Sequence, residues 1–522
     1  FSMKKNIFYS LLILLLIPAV GCAKKSTTPA VGEVKASAYT PDIPVLKGLA
    51  TNAILRVNIF IPADNDAQQY TGINCSINAN AINDIENITV YQTSAEPFST
   101  STPLANSKPT NANFNVPITL KLAPGLHFIW FSVTLKNDAS IDGNVELRAT
   151  ELMQSNGKKL SISQPAGNYA KLKGTAVRKA GDDNVNTYRI PGIVATNKGT
   201  LLSVYDIRYK NSADLPGNID VGLSRSTDSG KTWQPMKIIM DMGAPHENNG
   251  VGDPAILFDP ITKKIWVAAL WSKGNRSIAG SLPGISPDTT GQFVLVSSDD
   301  DGLTWTAPYT ITPQIKNPKW HLFFNGPGSG IAMKDGKLVF AAQYWDEVKK
   351  PYSTIIYSAD HGANWVGNLN GPKSNTTESQ VVETIPGTLM LNMRDNRGSY
   401  RSVATTTNLG TSWTEHSTSY NALQDPVCMG SLIKANVKVK GVLKEVLFFS
   451  NPNTTNGRYD ITIKASLDLG QTWLPANQLL IDERNCYGYS SLTQIDEETI
   501  GILYEGTKDL YFVKVPVTSI IK

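Results

Sequence analysis

Cysteine is scarce in this chain: four residues in 522, Cys22, Cys75, Cys428 and Cys486, with no C-x-x-C pair. So wide a scatter excludes a disulfide-dense scaffold and a zinc ribbon, and free thiols are expected. Histidine is as sparse, five residues without an H-x-x-x-H or EF-hand ligand series, so no metal is expected. Charge of one sign is missing too. The 48 basic and 44 acidic residues leave a net +4, which gives no footing for nucleic acid as a partner. No glycine-rich phosphate loop follows a strand, so no nucleotide cofactor is expected. Trp345-Asp346 stands alone, which excludes repeats of the WD type.

Long apolar runs are also lacking. The one candidate, Leu11 to Ile17, is too short to span a bilayer. It follows Lys4-Lys5 and ends at Pro18-Ala19-Val20-Gly21-Cys22. A basic segment, a short apolar run and small residues before a cut describe a secretory signal peptide over residues 1–21. Cys22 after Val20-Gly21 resembles a bacterial lipobox, although Ala19-x-Gly21 suits ordinary signal peptidase equally. The expectation is an exported protein, a periplasmic or cell-surface lipoprotein held to a membrane only by lipid at Cys22, or a secreted one. Residues 22–40, rich in Lys, Ser, Thr, Pro and Gly, read as a tether.

Glycine (40) and proline (30), by contrast, are plentiful, as a loop-rich all-β chain requires. One eight-residue pattern recurs five times: Ser226 to Trp233, Ser298 to Trp305, Ser358 to Trp365, Thr406 to Trp413 and Ser466 to Trp473. Its central Asp or Asn (Asp228, Asp300, Asp360, Asn408, Asp468) precedes Gly by two and Trp by five, at intervals of 72, 60, 48 and 60 residues. An acid or amide that bonds nearby N–H groups, followed by Gly at positive φ, is turn chemistry. Strand-like runs such as Phe293-Val294-Leu295-Val296 precede the turns, so each copy reads as a hairpin corner, with the Trp ring packed over the turn. Repeats at this interval predict blades of a β-propeller. At about 60 residues per repeat, residues 171–522 accommodate six blades. One blade would then be closed by strands from both ends, Gly192-Ile193-Val194 and Leu510-Tyr511-Phe512-Val513. The boxes resemble the Asp-box, or bacterial neuraminidase repeat.

Residues 41–167 carry strand signals without a box. Ala53, Leu55, Val57, Ile59 and Ile61 alternate with polar partners, and Ala123-Pro124-Gly125 reads as the turn of a hairpin joining 118–122 to 126–135. This predicts a separate β-sandwich, similar to the N-terminal domain of some bacterial sialidases. It serves as a carbohydrate-binding module or as a spacer.

Reactive groups lie between the boxes. Tyr188-Arg189-Ile190-Pro191 opens the repeat region, followed by Asp206-Ile207-Arg208, Asp214 in a Pro/Gly loop, Gly252-Asp253-Pro254, Thr377-Glu378-Ser379, Met393-Arg394-Asp395, Gly457-Arg458-Tyr459, Gly488-Tyr489-Ser490 and Tyr504-Glu505. This ordered set resembles the exo-α-sialidase superfamily over residues 180–510. The resemblance implies an arginine triad of Arg189, Arg394 and Arg458, with Glu505 holding Arg189. It further implies Tyr489 as nucleophile, Glu378 as its base, Asp214 as acid/base, and Arg208 and Asp253 as sugar-binding residues.

Sialic acid carries a carboxylate on its anomeric carbon, and three guanidiniums meet that charge with forked hydrogen bonds that Lys cannot match. A carboxylate nucleophile would be repelled there, whereas a phenol whose proton passes to a neighbouring carboxylate would not. Asp214 is preferred over Asp220, which runs into the strand Val221 to Leu223, and its pKa is expected to rise in the site. The expected substrates are the sialylated glycans of glycoproteins, glycolipids such as gangliosides, and oligosaccharides, hydrolysed with retention by a monomer. A trans-sialidase using the same residues and a non-catalytic glycan-binding propeller remain open.

Overall fold

The computed structural model describes residues 32–93, 98, 100, 102–165, 167 and 169–522. The expected signal peptide and the lipid-bearing Cys22 lie outside the described residues. The tether ends earlier than expected, because Lys35–Tyr39 is already a strand paired with Ala53–Ile61. No helix among the described residues is long and apolar enough to cross a membrane.

The N-terminal domain stacks two β-layers. One runs in the order Lys35–Tyr39, Ala53–Ile61, Gly125–Leu135, Ile85–Thr93, Ala105–Ser107; the other joins Asn113–Leu122, Gln68–Ile77 and Asn144–Gln154. Lys159–Ser163 bridges them, antiparallel to Asn144–Gln154 and parallel to Lys35–Tyr39. Alternation decides which residues enter the core: Val57, Ile59 and Ile61 face inward with Ile73, Val116 and Leu147. The expected hairpin at Ala123-Pro124-Gly125 does not form. Asn113–Leu122 pairs with Gln68–Ile77, whereas Gly125–Leu135 pairs with Ala53–Ile61 and Ile85–Thr93, so the turn crosses between layers. Turn residues specify a reversal of direction; which neighbour each strand then meets is a packing outcome.

The rest is a β-propeller arrangement with five separate blades, not the expected six. They begin at Thr187–Ala195, Val251–Phe258, Leu322–Asn325, Thr376–Glu383 and Ser431–Val439. The gap between the fifth and first blades is filled by the meander Ser490–Asp496, Thr499–Glu505, Leu510–Pro516. Its last strand pairs not with the expected Gly192-Ile193-Val194 but with Ala170–Arg178. Ala170–Arg178 also pairs with Asn144–Gln154, so one nine-residue strand joins the meander to the N-terminal domain in a single 14-stranded sheet.

All five boxes share one geometry. In the first, Ser226 Oγ donates to Asp228 Oδ1 (2.8 Å) and accepts from Gly230 N (2.9 Å), while Asp228 accepts from Thr232 N (2.9 Å) and Thr232 Oγ1 (2.6 Å). The box glycines have φ between 83° and 93°. Each also lies against the preceding unit of the ring. A Cβ would meet Phe512 at Gly230, Leu202 at Gly302, Trp266 at Gly362, Ile355 at Gly410 and Met390 at Gly470. The box tryptophans do the same, Trp233 edge-on to Phe512 (5.4 Å) and Trp365 to Trp266 (6.1 Å). The boxes are therefore locks between blades as well as turns, and the first closes the ring on the C-terminal strand.

Gly362→Ala is expected to destabilise the protein by about 2–4 kcal/mol, since its Cβ would sit 2.2 Å from the Trp266 ring at φ 91°. Gly387→Ala, at φ 81° with open space around it, should cost about 1 kcal/mol. Equal shifts of the two unfolding midpoints would remove the inter-blade contact as a constraint.

Candidate active site

The first strands of neighbouring units pack against one another around the ring, and three of them bulge where a predicted site residue sits. The pairing register slips between Arg189 and Gly192, between Gly252 and Ala255, and between Thr376 and Ser379. Bulges turn side chains out of the alternating pattern; here they accompany Arg189, Asp253 and Glu378. Ile190 and Asp253 lie at φ 59° and 57°, a strained region for non-glycine residues and one that clusters at functional sites.

Arg189 is held by Glu505, whose Oε1 accepts from Arg189 Nε (3.1 Å) and Ile190 N (2.8 Å). Glu505 Oε2 accepts from Arg189 Nη2 (3.3 Å) and Tyr489 N (2.9 Å), and the side chain is wholly buried. Tyr489 donates its phenolic proton to Glu378 Oε1 (2.6 Å) and accepts from Arg394 Nη1 (3.0 Å). Arg394 Nη1 also reaches Glu378 Oε2 at 2.6 Å. Arg458 is fixed by main-chain carbonyls, Tyr487 O (2.8 Å) and Val427 O (3.2 Å), with its guanidinium 5.7 Å from the Tyr489 ring centroid. Arg189 lies 5.1 Å from the same centroid on its own approach. Three guanidiniums, a phenol and its carboxylate acceptor thus share one place.

Asp214 stands at the rim, its side chain 69% exposed, accepting from Arg208 Nη1 (2.8 Å) with Arg189 Nη1 at 3.6 Å. Arg208 is buried and held by Asp206 (2.8 and 3.1 Å). Asp253 completes the group: its N donates to Asp206 Oδ1 (2.8 Å). Asp220 faces elsewhere, bonded to Tyr209 OH (2.9 Å), and burial lifts its pKa to about 6.

Burial, and next the Glu378 charge, hold the Tyr489 phenol well above its ordinary pKa, against Arg394 and Arg189, so it is neutral with its proton aimed at Glu378. Burial, together with the charges of Asp206, Glu378 and Asp214, pushes Asp253 well up. Asp214 departs from expectation. Burial raises its pKa, but Arg208, Arg189 and Arg458 outweigh burial and the net shift is downward. The expected rise is thus overturned, because three guanidiniums act on a carboxylate that the sequence places near only one of them.

All nine predicted residues are brought together. Two residues that the sequence reading left without a role also belong here. Asp206 shares a strand face with Arg208 and could have been found from that i, i+2 spacing. Tyr487 gives its carbonyl to Arg458 and its ring to Arg189 (4.7 Å); its alternation with Tyr489 was the available signal. No group of three or more His, Cys, Asp or Glu among the described residues could hold a metal ion.

Residues 190–485 match the BNR repeat-like domain family, and residues 32–158 match the N-terminal domain of BNR-repeat neuraminidase. The sialidase of Bacteroides fragilis is 49% identical over 411 residues, 77% of this chain and 75% of that protein. The chain belongs to the BNR-repeat sialidase family. It is a glycoside hydrolase. The sialidase of Micromonospora viridifaciens is 32% identical over 62% of this chain and 50% of its own length. Among solved structures, the Hadza microbial sialidase Hz136 aligns with a TM-score of 0.86 at 39% identity, over 93% of this chain and all of that one. The Trypanosoma rangeli sialidase, 22% identical with a TM-score of 0.54 over 70% of this chain and 57% of that one, shares the fold.

Glu505→Gln keeps the shape but not the charge that four N–H donors converge on. It should lower kcat/KM on a small sialoside by about 10- to 100-fold, the equivalent of losing one or two charge-assisted hydrogen bonds. An unchanged value would mean that Arg189 and Tyr489 are positioned without it.

Proposed function

We propose that the protein is an exo-α-sialidase that hydrolyses terminal α-linked sialic acids with retention, through a covalent sialyl–Tyr489 intermediate. The observation that carries this reading is the 2.6 Å hydrogen bond from the Tyr489 phenol to Glu378, set among Arg189, Arg394 and Arg458. The triad receives the substrate carboxylate. Tyr489 Oη attacks the anomeric carbon while its proton passes to Glu378; the glycosidic bond breaks and Asp214 protonates the leaving oxygen. Water, deprotonated by Asp214, then attacks the same carbon, and the tyrosyl–carbon bond breaks as the phenol recovers its proton from Glu378. Two inversions give retention. Arg208 and Asp253 bind the ring substituents.

The substrate carboxylate also prepares the acid. Its charge offsets the arginines that depress Asp214, so binding should raise the Asp214 pKa and draw in a proton.

We count the Ser490–Pro516 meander with Ala170–Arg178 as a sixth blade, fused edge to edge with the N-terminal sandwich. That sandwich we read as glycan-binding: Tyr39 and Phe60 stand exposed on its outer layer, beside Arg56. The signal-like residues 1–21 support export, and Cys22 a lipid anchor.

Tyr489→Phe should abolish trapping by a slow-leaving fluorosialoside and lower hydrolysis by several orders of magnitude; adduct formation at another residue, read by mass spectrometry, would refute the nucleophile. Binding of a dehydrated sialic acid analogue near pH 5 should take up close to one proton in wild type and none in Asp214→Asn, measured calorimetrically in buffers of differing ionisation enthalpy. Equal uptake in both proteins would move the proton to another group.

A further inference from the structure

Among the described residues five lysines are buried: Lys47, Lys171, Lys173, Lys316 and Lys464. Four have partners. Lys47 reaches Lys231 O, Lys171 pairs with Asp42 (3.3 Å), Lys173 with Asp84 (2.6 Å), and Lys316 donates to Gly284 O (2.6 Å) and Trp320 O (2.5 Å). Lys464, on the Ile461–Ser466 strand and only 8% exposed, has no hydrogen-bond or ion-pair partner among the described residues. Asp425 attracts it but is already engaged, accepting from Asn451 Nδ2 (3.0 Å) and Cys428 N (3.0 Å), with Arg401 at 3.6 Å. Burial therefore lowers the ammonium's pKa to about 8.

This ammonium lines a cleft of about 310 Å³ at the junction of the fourth and fifth blades. Its other walls include Tyr400, Trp473, Gln424, Asn453 and Gln478. Gln424 Nε2 donates to both Asn453 O (3.0 Å) and Asn453 Oδ1 (2.8 Å), which occupies the Asn453 carbonyl oxygen and leaves its NH₂ as the available group. Ammonium, amide N–H, phenol and indole make a donor-rich lining with two aromatic faces. Such a lining suits a ligand with an apolar ring face, several hydroxyls and a negative charge. The wall is shared with the active site. Asn453 N bonds Asp460 O (3.0 Å), so the loop that frames the cleft also carries Arg458.

We propose that this cleft is an accessory binding site for a carboxylated sugar, distinct from the site of hydrolysis, with Lys464 as its anion contact. The choice of sialic acid as principal ligand rests on the function proposed above; the chemistry of the cleft does not. Binding would give the stranded ammonium its missing partner.

The test is calorimetric titration of the full chain with free N-acetylneuraminic acid, glucuronic acid, galactose and inorganic phosphate. Arg394→Ala removes the active site, and any binding that survives should fall at least tenfold in Arg394→Ala/Lys464→Met. Lys464→Met alone should unfold no earlier than wild type, since it deletes an unpaired buried charge, and should hydrolyse a small fluorogenic sialoside normally. Absence of surviving binding for either acidic sugar, or equal binding with and without Lys464, overturns the proposal. Equal binding of galactose overturns the carboxylate requirement, and phosphate bound as tightly as the sugars reduces the site to a simple anion site. If Lys464→Met does not fold, wild-type lysines methylated with ¹³C-formaldehyde supply the readout: the Lys464 resonance should shift on adding acidic sugar, and its constancy would refute the site. Failure of the sialidase reading would show separately, as an inactive wild type that still binds glucuronic acid through Lys464.

Discussion

Four N–H groups converge on one buried carboxylate, that of Glu505: two from Arg189, and the backbone donors of Ile190 and Tyr489. These donors come from opposite ends of the repeat region. Arg189 and Ile190 belong to the first blade, Tyr489 to the start of the last meander and Glu505 to its second strand. A lone buried carboxylate is prohibitively costly, whereas one that accepts four N–H bonds, two of them from a guanidinium, is stable. The same bonds that close the ring also set the first arginine and the phenol at a fixed separation.

Electrostatic balance is the second theme. Arg189, Arg208, Arg394 and Arg458 stand among Asp206, Asp214, Asp253, Glu378 and Glu505, and each carboxylate has a distinct environment. Glu505 and Asp206 are buried and neutralise arginines. Glu378 accepts the Tyr489 hydrogen bond, Asp214 faces solvent under arginine control, and Asp253 is pushed toward its neutral form by burial and by the other acids. Groups whose surroundings drive their pKa values apart mark catalytic sites.

The five boxes connect the two levels. Read as sequence, they are turns. Packed together, their glycines and tryptophans bear on the preceding unit, so each turn fixes the angle between neighbours and, cumulatively, the convergence of the inner strands. The shared strand Ala170–Arg178 extends that construction into the N-terminal domain and explains the blade count, since the sheet that would stand as a sixth blade is continuous with the sandwich.

The chemical vocabulary was legible in the sequence: the repeat, the all-β class, the N-terminal domain, and nine candidate residues, implied by the family resemblance, that the fold brings to one place. Local turn chemistry is written in a few adjacent residues, so the boxes could be located without coordinates. Pairing partners could not, because strands carry no label for their neighbours; hence the hairpin at Ala123-Pro124-Gly125 and the closure by Gly192-Ile193-Val194 were misassigned. The inner-strand bulges, the lowered Asp214 pKa and the unpartnered Lys464 were decided by tertiary structure alone, whereas Asp206 and Tyr487 left a spacing signal whose meaning only the packing showed. Each depends on which charges and carbonyls lie within a few ångströms, and residues far apart in the chain set those distances.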